Sequence, residues 1–267
     1  MQHMTKTICI VLFIGIVALF SCKKEAQPIS QQVPQSVKDQ ITALGFTSAD
    51  AQKIDEGYLV EGDIIITPEL LSSSPQSQFL RVGDEEQYRT TNLITSLPRT
   101  ITVSLDRRMP SAYVAVLDEM VNRYNALDLQ IDFKRVSSGG QIVFKVAHGS
   151  YLASSGFPSL GNPYPSVNVN TTAITQYSNS TTFFGFAASI FAHEVGHCIG
   201  FRHTDYMNRS YSCGGSPVNE GASNIGAIQI PGTPAGPDPN SWMLSCVSAG
   251  QNRPFNSNDR TALNYLY

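Results

Sequence analysis

One stretch of eleven residues constrains this chain more than any other: His193-Glu194-Val195-Gly196-His197-Cys198-Ile199-Gly200-Phe201-Arg202-His203. On a helix, residues four apart lie one turn above each other, so His193 and His197 project from one face towards one point. Gly200 stands where such a helix has to stop, because glycine tolerates the positive φ of a sharp exit turn. The turn swings His203 back to the same point. Three imidazoles at one point are a zinc site, and three protein ligands leave a fourth position for water, the mark of a catalytic rather than a closed structural site. Glu194 follows the first histidine, beside the metal and off its ligand axis, where a carboxylate can take a proton from water. A bare HExxH recurs by chance in unrelated helices; Gly200 and His203 at fixed offsets separate this stretch from those.

The extended motif resembles that of the metzincin clan of metallopeptidases, in which it is followed by a methionine turn. Ser241-Trp242-Met243 is similar to that turn, and the resemblance makes Met243 a support beneath the zinc rather than a ligand. Residues 255–267 combine a Ser/Asn/Asp cluster that can cap a helix with apolar residues at helical spacing, and resemble the closing helix of matrixin-like enzymes. Thr204-Asp205 after the third histidine is similar to peptidase family M57 or to a matrixin relative, and both remain open at this level. The resemblance implies an α+β fold: a twisted, mostly parallel sheet, two main helices above a cleft, and an irregular lower subdomain with a C-terminal helix. It also implies one catalytic zinc ion and a protein or peptide substrate. Two departures narrow it. Ser245 stands where astacins and serralysins carry a tyrosine ligand, so no tyrosine switch is expected. Residues 154–170 contain no acidic residue, so structural calcium is not expected there.

Lys6 precedes an apolar run from Ile8 to Phe20 that is too short to span a bilayer comfortably. Leu19-Phe20-Ser21-Cys22 resembles a lipobox, which makes residues 1–21 a lipoprotein signal peptide, Cys22 the lipid-bearing first residue, and the protein an exported, membrane-anchored bacterial lipoprotein. A plain secretory signal or short anchor is the alternative, and export follows from either. Cys9 leaves with the signal, so Cys198, Cys213 and Cys246 remain in the folded part. A Cys213 to Cys246 bridge is favoured over pairings with Cys198, read as a small buried hydrophobe, though spacing alone leaves the connectivity open. The net charge of −3 is not clustered, which argues against a nucleic-acid partner. A monomer is expected.

Residues 22–35 read as a Pro/Gln-rich linker and 36–90 as a pro-segment or N-terminal region. Ser36 to Leu44 suits a short helix ending at Gly45. Val60-Glu61-Gly62-Asp63 resembles the Phe-x-Gly-Asp element of astacin pro-segments, with valine replacing phenylalanine. That resemblance implies a latency ligand: Asp63 would occupy the open zinc position. The plainer reading is a structural strand preceded by a turn. The stretches 71–78 and 83–89 would then be the accessible link for an activating protease.

From residue 91 to 267 the pattern is that of the catalytic domain. Ile101 to Leu105 alternates as a strand, Pro110-Ser111 opens a helix with Tyr113, Leu117, Met120, Val121 and Tyr124 on one face, and Ile131 to Val136 and Ile142 to Val146 are further strands. Residues 181–200 form the active-site helix. Val167-Asn168-Val169-Asn170 reads as a short strand, and the clan resemblance makes it the sheet edge that pairs with extended substrate. His148 reads as structural or surface. The chain is thus expected to be a zinc metalloendopeptidase with Glu194 as general base. A non-catalytic, zinc-stabilised peptide-binding lipoprotein is the alternative, and a zinc enzyme acting on another bond is a third.

Overall fold

The computed structural model describes residues 32–72, 87–221, 226–234 and 236–267. The expected signal peptide, Cys22, most of the linker and the 73–86 part of the expected cleavage link lie outside these residues. In chain order the elements are α1 (Gln35–Ala43), β1 (Gln52–Ile54), β2 (Gly57–Val60), β3 (Ile64–Ile66), α2 (Pro68–Leu71) and β4 (Tyr88–Arg89). Then come β5 (Arg99–Leu105), α3 (Tyr113–Asn125), β6 (Ile131–Arg135), β7 (Ile142–Val146), β8 (Ala153–Ser154) and β9 (Ser166–Val169). The rest are α4 (Thr171–Gln176), α5 (Phe183–Cys198), α6 (Ser210–Cys213), β10 (Ile228–Gln229) and α7 (Ser257–Leu266).

The central sheet runs β6-β5-β7-β9-β8, with the first four strands parallel and β8 antiparallel to β9. Two helices cover it. In α3, Tyr113, Val116, Leu117, Met120 and Tyr124 are buried, the spacing that puts one apolar stripe on a sheet. Helix α5 is apolar almost all round and runs through the core, buried from Phe186 to Ala192 and again from Glu194 to Cys198. Aromatic rings join the layers: Phe144 of β7 stacks on Phe191 of α5 at 4.3 Å, and the Tyr124 hydroxyl of α3 donates to the Ala192 carbonyl of α5 at 2.8 Å. The histidine-bearing helix is therefore held on several sides.

Helix α7 is closed by a capping box: the Asn256 side chain accepts from the Asn258 and Asp259 amides, and the Asp259 carboxylate accepts from the Asn256 amide. Asp259 reaches further. Its two oxygens also accept from the Gln87 side chain at 2.8 Å and the Trp242 amide at 3.2 Å, tying the C-terminal helix to the Met243 turn. Around Gln87 the chain is woven beneath α5: β4 pairs with β10, the Thr90 amide donates to the Gly200 carbonyl, and the Arg202 amide donates to the Tyr88 carbonyl.

The N-terminal region is a second layer of structure. Helix α1 precedes Gly45 at φ +85°, and β1, β2 and β3 form an antiparallel meander. Val33, Ile41, Leu44, Phe46, Val60, Ile64 and Ile66 make a small apolar cluster with Phe157, while Leu59 and Ile65 join the main core. Strand β3 lies alongside the end of β8: the Ile65 amide donates to the Ser155 carbonyl at 2.7 Å and the Ser155 amide to the Asp63 carbonyl at 2.8 Å, a parallel pairing of Ile64 with Ser155.

This corrects one expectation. Val167, Asn168 and Val169 are not at the sheet edge; they lie in β9 between β7 and β8, with every residue of β9 buried. The edge is β8. A two-residue Ala-Ser strand carries no alternation and no β-branched residue, so nothing in its composition marks it.

Candidate active site

The geometry of the site starts at the end of α5. His193 and His197 occupy its last two turns, one above the other, and the helix stops at Cys198. Gly200 has φ +112°, and a Cβ there would lie 2.6 Å from the Asn92 carbonyl oxygen, so only glycine lets the chain leave at this angle. The exit brings His203 round. The His197 Nε2 atom lies 3.1 Å from His193 Nε2 and 3.2 Å from His203 Nε2.

What the other ring nitrogens touch decides the chemistry. His193 Nδ1 meets the Trp242 carbonyl at 2.8 Å and His197 Nδ1 the Phe201 carbonyl at 2.9 Å. A carbonyl only accepts, so in both rings the proton sits on Nδ1 and the Nε2 lone pair faces its neighbour's. Two acceptors at 3.1 Å cannot satisfy each other. His203 Nδ1 lies 3.0 Å from Glu220, a buried carboxylate that orients the third ring. Burial first, and then the charges of His193 and His203, hold His197 well below the usual histidine pKa, which keeps it in the neutral, ligand form.

Asp63 completes the cluster from the N-terminal region. Its Oδ2 lies 3.1 Å from His203 Nε2 and 3.5 Å from His193 Nε2. Burial works against its charge, but attraction to His203 and hydrogen bonds with His193 and His203 outweigh it and hold the carboxyl well below the ordinary range. A tetrahedron with zinc bonds of roughly 2.0–2.1 Å has edges of roughly 3.3 Å; four of the six separations run from 3.1 to 3.5 Å, and all lie within 4.8 Å. Three imidazole nitrogens, once neutral, and one carboxylate oxygen are a donor set that zinc accepts. The residues present fit the metal.

Glu194 is buried, and the Ser155 hydroxyl donates to its Oε2 at 2.7 Å. Burial first, and then Asp63, raise its carboxyl well above the ordinary value, with Ser155 acting the other way. Met243 lies beneath the cluster, fully buried. Gly196 makes room for it: a Cβ there would come within 2.5 Å of the Met243 sulfur. The Ser245 hydroxyl donates to Asp205 at 2.8 Å and to Glu220, the carboxylate that orients His203, at 3.3 Å. The Cys213 and Cys246 sulfurs form a disulfide with Cα atoms 5.1 Å apart, linking the segment after His203 to the segment after Met243; Cys198 is free and buried, and His148 is exposed.

Two carboxylates of the Glu61-Gly62-Asp63 turn enter the site together. Glu61 and Gly62 both have positive φ, 54° and 89°, which lets the chain bend sharply. The Glu61 carboxylate is buried against Arg202 at 3.4 Å, its carbonyl accepts from Arg209, and Arg202 also approaches Glu220 at 3.8 Å.

Several of these residues escaped the sequence reading. Glu220 carried a faint signal as the sole acidic residue between Asp205 and Asp238. Gly196 carried another, since a glycine inside a helix costs about 1 kcal/mol against alanine and implies close packing. Ser155 carried none, and for Asp259 the cap cluster gave no sign of its contacts to Gln87 and Trp242.

No curated protein matches the chain. Among solved structures it is similar to two of myroilysin, at 18% and 17% identity, covering 65% and 64% of this chain and 82% and 83% of those, with TM-scores of 0.40 and 0.37. It is also similar to high choriolytic enzyme 1, a hatching enzyme zinc-protease from the medaka Oryzias latipes, at 16% identity over 63% of this chain and 88% of that one, with a TM-score of 0.34. The model of the dual-action HEIGH metallo-peptidases matches residues 58–267. With that match over most of its length, the chain belongs to the Peptidase M57 family of zinc metallopeptidases.

Proposed function

We propose that this metallopeptidase is an exported endopeptidase made in a latent form, with Glu194 as its general base and Asp63 as its latency ligand. The observation that carries the reading is the convergence of three imidazole Nε2 atoms and one carboxylate oxygen from a different part of the chain, next to a buried glutamate. His193, His197 and His203 would hold zinc, which supplies Lewis acidity to the scissile carbonyl and the attacking water.

The remaining work belongs to side chains. Glu194 takes the proton of the attacking water and hands it to the leaving amine, in two steps of general base and general acid. The Ser155 hydroxyl orients its carboxylate for both. Glu220 and the Trp242 and Phe201 carbonyls fix the tautomers and directions of the three rings. The main chain at Ser155, buried here against β3, would offer its hydrogen bonds to an extended substrate once Asp63 to Ile65, which now use them, are displaced. In the latent form, Asp63 takes the position that the water needs. Export through residues 1–21 and lipid attachment at Cys22 complete the reading, supported by the lipobox-like Leu19-Phe20-Ser21-Cys22.

The test compares casein cleavage by the full chain before and after limited trypsin treatment, with trypsin then inhibited. We expect cleavage to appear after treatment, to vanish with a chelator, and to fall roughly 10²–10⁴-fold in Glu194→Gln with bound zinc unchanged. Asp63→Ala should raise the activity of the untreated chain. Bound zinc with no cleavage in any form would favour a peptide-binding role instead.

A further inference from the structure

A cavity of about 230 Å³ opens beside the histidines, and its wall includes His193, Glu194, Trp242, Arg209 and Arg253. One liquid water takes roughly 30 Å³, so there is room for a medium-sized side chain and some solvent. Because His193 and Glu194 form part of the wall, a side chain that fills this space belongs to a residue next to the cleaved bond.

The two arginines differ. Arg209 already pairs with Glu220 at 3.6 Å and donates to the Glu61 carbonyl. Arg253 is only 8% exposed, yet its guanidinium meets only neutral acceptors, the Cys246 carbonyl at 3.1 Å and the Gln251 side chain at 3.2 Å. Its Nε has no partner, and it makes no ion pair among the described residues. Asp205, Asp259 and Asp238 act on it only from longer range, and burial prevails over them to lower its pKa. A buried cation without an adjacent anion is costly, and structures keep such groups where something else supplies the charge.

We propose that this cavity receives the side chain of a substrate residue flanking the scissile bond, and that Arg253 selects an acidic one, aspartate or glutamate. The inference rests on the endopeptidase reading and names its substrate class. A carboxylate entering the cavity gives Arg253 the charged partner that it lacks, through hydrogen bonds stronger than neutral ones. It also brings a third carboxylate beside Asp63 and Glu194, so the preference emerges only once the Glu61-Gly62-Asp63 turn is displaced.

The test uses the full chain treated with trypsin, which is then inhibited. A peptide library locates the cut sites, and matched peptides differing only as Glu or Gln on either side of the cut measure the effect of charge alone. We expect kcat/KM for the Glu peptide to exceed that for the Gln peptide by roughly tenfold or more at one of the two positions. Arg253→Met should bring the ratio to within about twofold of one, and Arg253→Lys should leave it between the two. A wild-type ratio at or below one overturns the proposal without any variant, as does a ratio that Arg253→Met leaves intact. A chain that cuts no peptide overturns the endopeptidase reading as well; one that cuts but ignores charge overturns only the acid-selecting pocket.

Discussion

The histidines and Asp63 point at the same spot, but they are held there by different means. His193 and His197 sit on a helix buried on nearly every side, each ring fixed by a carbonyl at Nδ1, and His203 is fixed by a buried carboxylate. Asp63 hangs from a three-residue strand joined to the sheet by two main-chain bonds at Ser155, with the Glu61 contacts to Arg202 and Arg209 behind it. The contrast teaches that one site can combine a permanent half and a removable half. Helix packing and ring orientation supply the first, while edge pairing, ion pairs and the burial of Leu59 and Ile64 to Ile66 supply the second.

The largest test of the permanent half is its covalent tie. Replacing Cys213 and Cys246 by serine releases a loop set by a sequence separation of 33 residues; chain entropy then predicts a loss of about 4 kcal/mol, read from the urea midpoint. An unchanged midpoint would mean that packing alone holds His203 and Met243 together. Next is Asp259, whose carboxyl is pushed up to about 6, chiefly by burial. A carboxyl raised above its unfolded value of 3.8 binds its proton more tightly when folded, so its contribution is present below about pH 4 and lost as pH rises to about 6. The shift corresponds to roughly 3 kcal/mol. The stability difference between wild type and Asp259→Asn, measured at several pH values across that window, should slope accordingly, and a flat difference would deny it.

Smaller effects sharpen the contrast between the halves. Glu220→Gln should weaken zinc binding by roughly 10–100-fold in the trypsin-treated chain, since it loosens the His203 ring, whereas Glu61→Gln should leave zinc affinity there unchanged. Equal effects would mean that the Glu61 turn belongs to the permanent half. Gly196→Ala pushes a methyl towards the Met243 sulfur and should cost about 1–3 kcal/mol of thermal stability, the usual range for overpacking.

Most of the permanent half was legible in the sequence because local spacing encodes it. The His193 to His203 stretch specifies a helix, its stop and its return turn within eleven residues, and the Ser/Asn/Asp cluster near residue 256 marks the start of the closing helix, which the structure caps with Asn256 and Asp259. The Cys213–Cys246 bridge was the favoured pairing of three possible ones and is the one formed. What stayed hidden depends on partners far along the chain. Ser155 meets Glu194 across 39 positions, and Asp259 meets Gln87 across 172. The edge strand was misplaced for a related reason: β9 looks like an edge because it is short and polar, yet all its residues are buried and Asn168 and Val169 pair with β8, whose two small residues give no pattern.

The parallel pairing of Ile64 with Ser155 has a consequence for how inhibition would end. While the strand and the sheet edge belong to one chain, each faces the other at an effective concentration that dilution of the protein does not change. At such a concentration two main-chain bonds, an aspartate and the buried isoleucines of β3 keep the segment in place. Once the chain between them is cut, the same contacts become an association between two molecules, and the freed segment competes at whatever its bulk concentration happens to be. On the proposed latency, activation would have two stages, a cut and a dilution: a processed enzyme in a crowded compartment would keep its inhibitor, and the same enzyme released into open medium would lose it.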